Sequence, residues 1–277
     1  MDPLPSSDDL MPYYETDFFS KTKASAYLDN ASDEEKNWRD GLYGDRLRLA
    51  EKYLNTNGKE LLDIGCGPGR FLRVAQNSGW TIKGIEPGVA AVEYCHQQGF
   101  DVDAGFFDTV SAATLGEFDI VHSDMVLEHV PHPANFVQLV KKTLKRDGIF
   151  IISVPNDFNP FQMTLESSGN FQPWWIDRDH INYFNFDTLE NLLSQNGFEV
   201  LDRLTTFPMD MFLLMGENYI DDNQLGPLCH KKRMHFDLNF EYIGLQEHRL
   251  NFYRQLAQAG MGRHAIIIAK VEQHEYS

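Results

Sequence analysis

Two rhythms of apolar positions alternate along this chain. Short apolar runs at Leu61–Ile64, Trp80–Glu86, Phe100–Ala104, Phe118–Ser123, Ile149–Val154, Phe198–Leu201 and Ala265–Val271 read as seven strands. Between them, apolar residues recur at three- and four-residue spacing. Phe71, Leu72, Val74 and Ala75 predict one helix, closed by Ser78-Gly79. Ala90, Ala91, Val92 and Tyr94 predict a second, ending at Gly99. Phe136, Val137, Val140 and Leu144 predict a third, stopped by Asp147-Gly148. Leu189, Leu192 and Leu193 predict a fourth, opened by the capping-box-like run Asp187-Thr188-Leu189-Glu190 and ended by Gly197. Ile149–Val154 is apolar on both faces, as a central parallel strand is. The alternation predicts an α/β fold with a doubly wound parallel sheet.

Outside that alternation the chain changes character. Met1 to Leu10 carries prolines, serines and aspartates with little to bury, and reads as disordered. Asp33 to Leu54 is helical in pattern, with Leu42, Arg46, Leu49, Ala50, Tyr53 and Leu54 in register, and Asn57-Gly58 ends it. From Pro155 to Phe184 regularity pauses in a stretch rich in aromatics. Roughly sixty residues then separate the sixth and seventh strands, far more than a hairpin needs. The expected organisation is a tail and helical cap over residues 1–58, a core over 59–206, an acceptor-side insertion over 207–263 holding a helix near Leu245 to Ala259, and a final core strand and tail over 264–277.

The chemistry gathers where the first strand meets the first helix. Gly65-Cys66-Gly67-Pro68-Gly69 turns sharply between two apolar segments. Glycine has no Cβ and tolerates positive φ, so such a loop brings bare backbone against a ligand at the carboxyl edge of a sheet. A dinucleotide fingerprint reads GxGxxG, whereas the spacing here is one residue tighter. Glu86, about twenty residues downstream at the end of the second strand, is placed to take two ribose hydroxyls. Asp63 precedes the first glycine, where it can accept loop N–H groups or reach a ligand ammonium. A pyrophosphate would not favour an acid there. The set suits a positively charged nucleoside ligand, and S-adenosylmethionine has both a sulfonium and an α-ammonium.

Leu61 to Leu72 resembles motif I of the class I S-adenosylmethionine-dependent methyltransferases, and later segments are similar to the ubiquinone-methyltransferase-like and type 11/12/23 branches. Gly84-Ile85-Glu86-Pro87 resembles the post-I motif. Phe118–Val121 and Val126–Val130 resemble the fourth strand and its sequel. Leu144–Gly148 resembles an L-K-x-G-G turn with Asp147 replacing the first glycine. His180, Tyr183-Phe184, Leu189, Leu192-Leu193 and Gly197-Phe198 resemble an H-x-x-x-F … L-x-x-L-L … G-F element. The resemblance implies a seven-stranded Rossmann-like sheet with an antiparallel last strand and S-adenosylmethionine as cofactor. By position it implies that Asp63, Gly65, Cys66, Gly67 and Gly69 hold the methionine end, Glu86 and Pro87 the ribose, Phe106 and Phe107 the adenine, and Ser123 and Asp124 the methionine portion.

Further candidates lie after the fifth strand, where such folds bind the acceptor. Trp174 and Trp175 suit stacking on a sugar or planar ring, Arg178 suits a carboxylate or phosphate, and Tyr183 lies in the same stretch. Tyr13 and Tyr14 are candidates for a closing lid. His180 is the catalytic candidate, as a base if the acceptor must lose a proton, with anchoring of the aromatic loop as the other reading. Some relatives hold a divalent ion with Glu-x-x-Glu-His and a further histidine. Here Met125 stands in place of the first acid of that set, and Pro131 and Pro133 interrupt the spacing of Glu128, His129 and His132, so no metal is expected.

Composition narrows the partners. The chain has 277 residues, 42% hydrophobic, with 24 Lys plus Arg against 41 Asp plus Glu, a formal charge of −17. Such a surface repels phosphate backbones and anionic membranes, which argues against nucleic acid. Cys66, Cys95 and Cys229 form neither a disulfide framework nor a zinc pattern, and no apolar run has the length of a membrane span. The expectation is a cytoplasmic methyltransferase acting on a small-molecule or glycan-precursor acceptor, with a homodimer left open. A nicotinamide-dependent oxidoreductase and a catalytically idle S-adenosylmethionine-binding partner protein are the alternatives.

Overall fold

The computed structural model describes residues 31–55, 57–169, 173–176, 180–220 and 222–272. Seven strands form one sheet: β1 (Glu60–Ile64), β2 (Thr81–Glu86), β3 (Val102–Ala104), β4 (Phe118–Asp124), β5 (Leu144–Pro155), β6 (Phe198–Leu204) and β7 (His264–Val271). Their order is β3-β2-β1-β4-β5-β7-β6. The pairs from β3 to β5 are parallel, and β7 runs antiparallel to both β5 and β6. The α/β class and the antiparallel last strand match expectation.

Along β1 and its neighbours, side chains alternate between two cores. Leu61, Ile120, Ile149, Ile151, Ile266 and Ile268 face one side. Leu62, Ile64, Val121, Phe150, Ile152 and Ile267 face the other. The helices covering the two faces are α1 (Asp33–Glu51), α2 (Arg70–Asn77), α3 (Val89–Gln97), α4 (Thr109–Leu115), α5 (Pro133–Thr143), α6 (Pro160–Ser167) and α7 (Phe186–Gln195). None of the described helices is long and apolar enough to cross a membrane.

Several elements differ from the sequence reading; β3, for example, starts at Val102 rather than Phe100, and α4 was not expected. β5 begins at Leu144, because Leu144 pairs with Phe118 and is buried; the expected Asp147-Gly148 stop lies inside the strand, within the register shift between the Leu144–Phe118 and Ile149–Ile120 pairs. α7 starts two residues early, since Asn185 and Thr188 form the capping box in place of Asp187. The pause after β5 contains α6, capped by Asn159 with Pro160 in its first turn.

The insertion before β7 holds α8 (Asp210–Leu214), α9 (Leu225–Tyr242) and α10 (Gln246–Gln258). It clamps α1 through a buried polar knot. Arg249, fully buried on α10, donates from Nη2 and Nε to Asp45 Oδ2 on α1 (2.8 and 3.1 Å) and from Nη1 to Glu241 Oε2 (2.7 Å) and the Asp237 carbonyl (3.1 Å). Trp38 Nε1 on α1 donates to Asp237 Oδ2 at 2.7 Å, and the Tyr253 hydroxyl donates to the other oxygen. Opposite charges with their hydrogen bonds met can be buried together, whereas a broken set is costly.

Candidate functional site

The parallel sheet changes winding direction between β1 and β4, which opens a crevice at their carboxyl ends. The glycine loop sits there. Gly65, Gly67 and Gly69 all take positive φ, 70°, 52° and 73°. A Cβ on Gly65 would lie 2.4 Å from Val126 Cγ2, so glycine is required by packing as well as by backbone. Gly65 N and Cys66 N donate to the Ile85 carbonyl (2.8 and 3.3 Å), which ties the loop to β2.

Glu86 ends β2 beneath this loop and is 4% exposed. Its Oε2 accepts from Gly67 N at 2.9 Å and its Oε1 from Gly88 N at 2.8 Å. Burial pushes its carboxyl up to about 7, against the pull of those two donors. Each oxygen keeps a further lone pair for a ligand hydroxyl. Pro87 is half-buried between Glu86 and Gly88.

Asp63 is buried beside β4. The β1–β4 register sets Asp63 opposite His122, and Asp63 Oδ1 meets His122 Nδ1 at 2.7 Å. Burial raises the Asp63 carboxyl and His122 opposes the rise. Its hydrogen-bond partner is therefore the imidazole rather than a loop N–H. His122 in turn stacks on Phe71, with ring centroids 3.7 Å apart.

Helix α1 supplies two groups that sequence reading left without a role. The Tyr43 hydroxyl donates to Asp124 Oδ2 at 3.0 Å, and Arg46 Nη1 pairs with Asp124 Oδ1 at 2.8 Å. The Arg46 guanidinium also lies over the Tyr43 ring. Burial works against the Asp124 charge, but Arg46, helped by His122 and His264, holds its carboxyl well below the usual range. The Leu42/Arg46/Leu49 periodicity marked Arg46 as an inward position, and an arginine there was the signal available.

Of the adenine candidates, Phe107 packs its ring edge-on to Phe136, 5.5 Å away, and Phe106 is half-buried in the same loop. Ser123 is 1% exposed at the end of β4. Met125 follows at φ 58°, one of two described non-glycine residues with positive φ; the other, Phe158 at 55°, follows β5. Strained backbone of this kind persists where surrounding structure enforces it, and it clusters at sites.

The segment from His180 to Phe184 is clamped onto a single 3₁₀ turn, Leu127–His129. Ile181 N and Asn182 N both donate to the Glu128 carbonyl at 3.0 Å, and Asn182 Nδ2 donates to the Val130 carbonyl at 2.7 Å. This sets the His180 ring 5.0 Å from His129 and 6.2 Å from Tyr183. Trp174 and Trp175 meet edge to face at 4.9 Å, and Phe158 touches both Trp175 and Tyr183. Tyr13, Tyr14 and Arg178 lie outside the described residues. Glu128, His129 and His180 bring their donor atoms within 4.8 Å of one another. One carboxylate with two imidazoles is a donor set that can take a divalent cation. The sequence had offered His132 as the partner of Glu128 and His129. His132 is instead exposed at the N-cap of α5.

Several buried side-chain atoms have no hydrogen-bond partner among the described residues. They include Arg46 Nε on α1, Ser123 Oγ at the end of β4, both carboxylate oxygens of Glu128 just after β4 and Asp157 Oδ2 just after β5. Buried polar groups in folded proteins are nearly always paired, so unpaired ones at the carboxyl ends of β4 and β5 are candidates for ligand contact.

A family model described as a methyltransferase domain matches residues 36–203. A ubiquinone biosynthesis O-methyltransferase of Glaesserella parasuis is 35% identical over 173 residues, covering 55% of this chain and 72% of that protein. Its counterpart in Actinobacillus pleuropneumoniae is 30% identical over 118 residues, covering 39% of this chain and 50% of that protein. The chain thus spans about half the length of the first of the curated relatives it matches. Among solved structures, magnesium protoporphyrin IX methyltransferase from Synechocystis, with bound SAH, superposes with a TM-score of 0.57 at 13% identity, covering 97% of this chain and all of that one. That likeness is one of fold.

Proposed function

Because the chain belongs to the class I S-adenosylmethionine-dependent methyltransferases, of the methyltransferase 11/12/23 type, we propose that it transfers a methyl group from S-adenosylmethionine to a small-molecule or glycan-precursor acceptor. The glycine loop with its three positive φ values, held on the buried Glu86 carboxylate, supports this reading, and so do the unpartnered buried polar atoms after β4 and β5. In this reading the site divides into a nucleoside-amino-acid half beside the glycine loop and an acceptor half beyond β4 and β5.

In the first half, Glu86 takes the ribose hydroxyls with the lone pairs its two backbone donors leave open. Asp63 and Asp124 face the α-ammonium, Arg46 presents Nε to the α-carboxylate, and Phe106 lies against the adenine. When bound, the cofactor supplies an electrophilic methyl on a sulfonium. In the second half, Trp174, Trp175 and Tyr183 hold the acceptor so that its nucleophilic atom lines up with that methyl. Positioning supplies much of the rate of an in-line displacement. His180, at the boundary, accepts the acceptor's proton.

The test is transfer of label from methyl-labelled S-adenosylmethionine to fractionated cell metabolites, alongside calorimetry with S-adenosylhomocysteine and NAD(H). Label entering a small-molecule fraction is the expected result. Tight NAD(H) binding without S-adenosylhomocysteine binding would overturn the reading. Cofactor binding with no labelled product in any fraction would leave a binding protein in place of an enzyme.

A further inference from the structure

Two thiols meet beneath the glycine loop. Cys66 lies within the loop, between Gly65 and Gly67, and Cys95 lies on α3. Both donate to one oxygen: Cys66 Sγ and Cys95 Sγ lie 3.7 and 3.3 Å from the Gly67 carbonyl oxygen. Sharing that acceptor puts the two sulfurs side by side. Two glycines make room for them. A Cβ on Gly84 in β2 would lie 2.8 Å from Cys66 Sγ, and a Cβ on Gly69 would lie 3.1 Å from Cys95 Sγ. Each sulfur thus fills the space that a missing Cβ leaves. Both cysteines are free thiols in one apolar core, whereas Cys229 packs in a separate cluster with Met209 and Phe212. Contact with Cys95, and then burial, pushes the Cys66 thiol up. A thiol held protonated reacts slowly, so the pair stays reduced while the loop is closed over it.

We propose that Cys66 and Cys95 are an oxidation site: a peroxide joins them as a reversible disulfide, and that bond weakens cofactor binding at the loop above. The effect on the cofactor rests on the methyltransferase reading; the bond itself does not. A disulfide holds its sulfurs about 2.05 Å apart. Forming it draws Cys66 toward α3 and removes both thiol donors from the Gly67 carbonyl. Gly67 also donates its N–H to Glu86 Oε2 at 2.9 Å, so a shift of this residue reaches the group assigned to the ribose.

One hydrogen peroxide is consumed per bond. Cys66, 7% exposed, is nearer solvent than the fully buried Cys95 and meets the oxidant first. Its sulfur bonds to one peroxide oxygen as the O–O bond breaks, and the thiol proton leaves with the other oxygen as water. The Cys95 sulfur then bonds to the Cys66 sulfur of that sulfenic acid. The S–O bond breaks, and the hydroxyl leaves with the Cys95 proton as a second water. The two thiols lose two electrons and the peroxide gains them; a dithiol reductant reverses the bond.

The experiment treats the full chain with hydrogen peroxide at neutral pH, blocks remaining thiols with iodoacetamide, and reads intact mass and tryptic peptides. The expected product has lost about 2 Da, is blocked at Cys229 alone, and yields one peptide pair joined through Cys66 and Cys95. By calorimetry, its S-adenosylhomocysteine affinity should fall at least about tenfold and return with dithiothreitol. Linkage is reciprocal, so in a glutathione buffer saturating S-adenosylhomocysteine should lower the equilibrium constant for the bond by the same factor. Cys95→Ala should keep the affinity of the reduced wild-type chain and lose the response to peroxide. No joined pair, or a pair that includes Cys229, would overturn the site, and the wild-type peptide map decides this even where the variant fails to fold. A joined pair with unchanged S-adenosylhomocysteine affinity would overturn the effect on the cofactor, as would a Cys95→Ala chain that still loses affinity under peroxide. A reduced chain that binds no S-adenosylhomocysteine would refute the methyltransferase reading and this effect with it, while the peptide map would still decide the disulfide.

Discussion

Replacing Arg249 with methionine tests whether the insertion holds the N-terminal helix in its working position. Methionine keeps much of the stem volume and removes the guanidinium. That group makes two bonds to Asp45 Oδ2, one to Glu241 Oε2 and one to the Asp237 carbonyl. Breaking one side of a buried pair costs about 3–5 kcal/mol, because the other charge stays buried without its partner. Two features place Arg249→Met near the low end. Arg48 still pairs with Asp45, and the Glu241 side chain is 34% exposed and can hydrate. The expected loss is about 3 kcal/mol in urea unfolding at neutral pH. Adding Asp45→Asn removes the stranded charge and should recover part of it, a coupling a double-mutant cycle reads directly. Tyr43 and Arg46 lie on the same helix as Asp45, so S-adenosylhomocysteine affinity should fall at least about fivefold in the single variant, the loss of one charge-assisted contact. A stability change under about 1 kcal/mol would show that the knot is not an energetic clamp. A large stability change with unaltered cofactor affinity would separate the clamp from the site and refute the second half of the reasoning.

Glu86→Ala strands the Gly67 and Gly88 amides and removes the ribose acceptor; S-adenosylhomocysteine affinity should weaken by about 1–3 kcal/mol by calorimetry, and unchanged affinity would refute the ribose role. Gly65→Ala combines a left-handed φ with a Cβ 2.4 Å from Val126 Cγ2, so cofactor binding should be lost, and Val126→Ala in the same chain should restore part of it. Glu86, Glu128 and Asp157 have carboxyls raised to about 7, about 8 and about 7 in the folded chain. A raised folded-state value means the folded chain binds more protons, so their contribution is fully present below about pH 4 and is lost as pH rises to 7–8. The ligand-free protein should therefore unfold at higher urea near pH 5 than near pH 8, and Glu128→Gln should flatten that slope; a profile rising toward pH 8 would refute the assignment.

The strands and the glycine loop were legible because their signals are local. Alternation and spacing across a few residues set backbone conformation, and Gly65, Gly67 and Gly69 declare a turn that no other residue fits. Glu86 was legible for the same reason, since strand length places it at the end of β2. Local signals also misled at edges. Asp147-Gly148 reads as a stop, but Leu144 gains a buried place beside Phe118 by entering the strand early. Helix α6 went unread because only Gln162 and Leu165 are buried along it, too few to show a periodic apolar face, although Asn159-Pro160 announces it.

The sequence by itself determined the succession of the seven strands, the glycine loop and the family, since each depends on near neighbours along the chain. Tertiary structure decided which side chains meet. It brought Tyr43 and Arg46 to Asp124, set His122 on Asp63, moved His132 out of the cluster that Glu128 forms with His129 and His180, and left Glu128 and Asp157 without a neutralising partner. Those pairings rest on sheet register, on the clamp of α10 over α1, and on the docking of residues 180–184 onto one short turn. Each is a packing outcome between segments far apart in the chain, and no spacing within a segment encodes it.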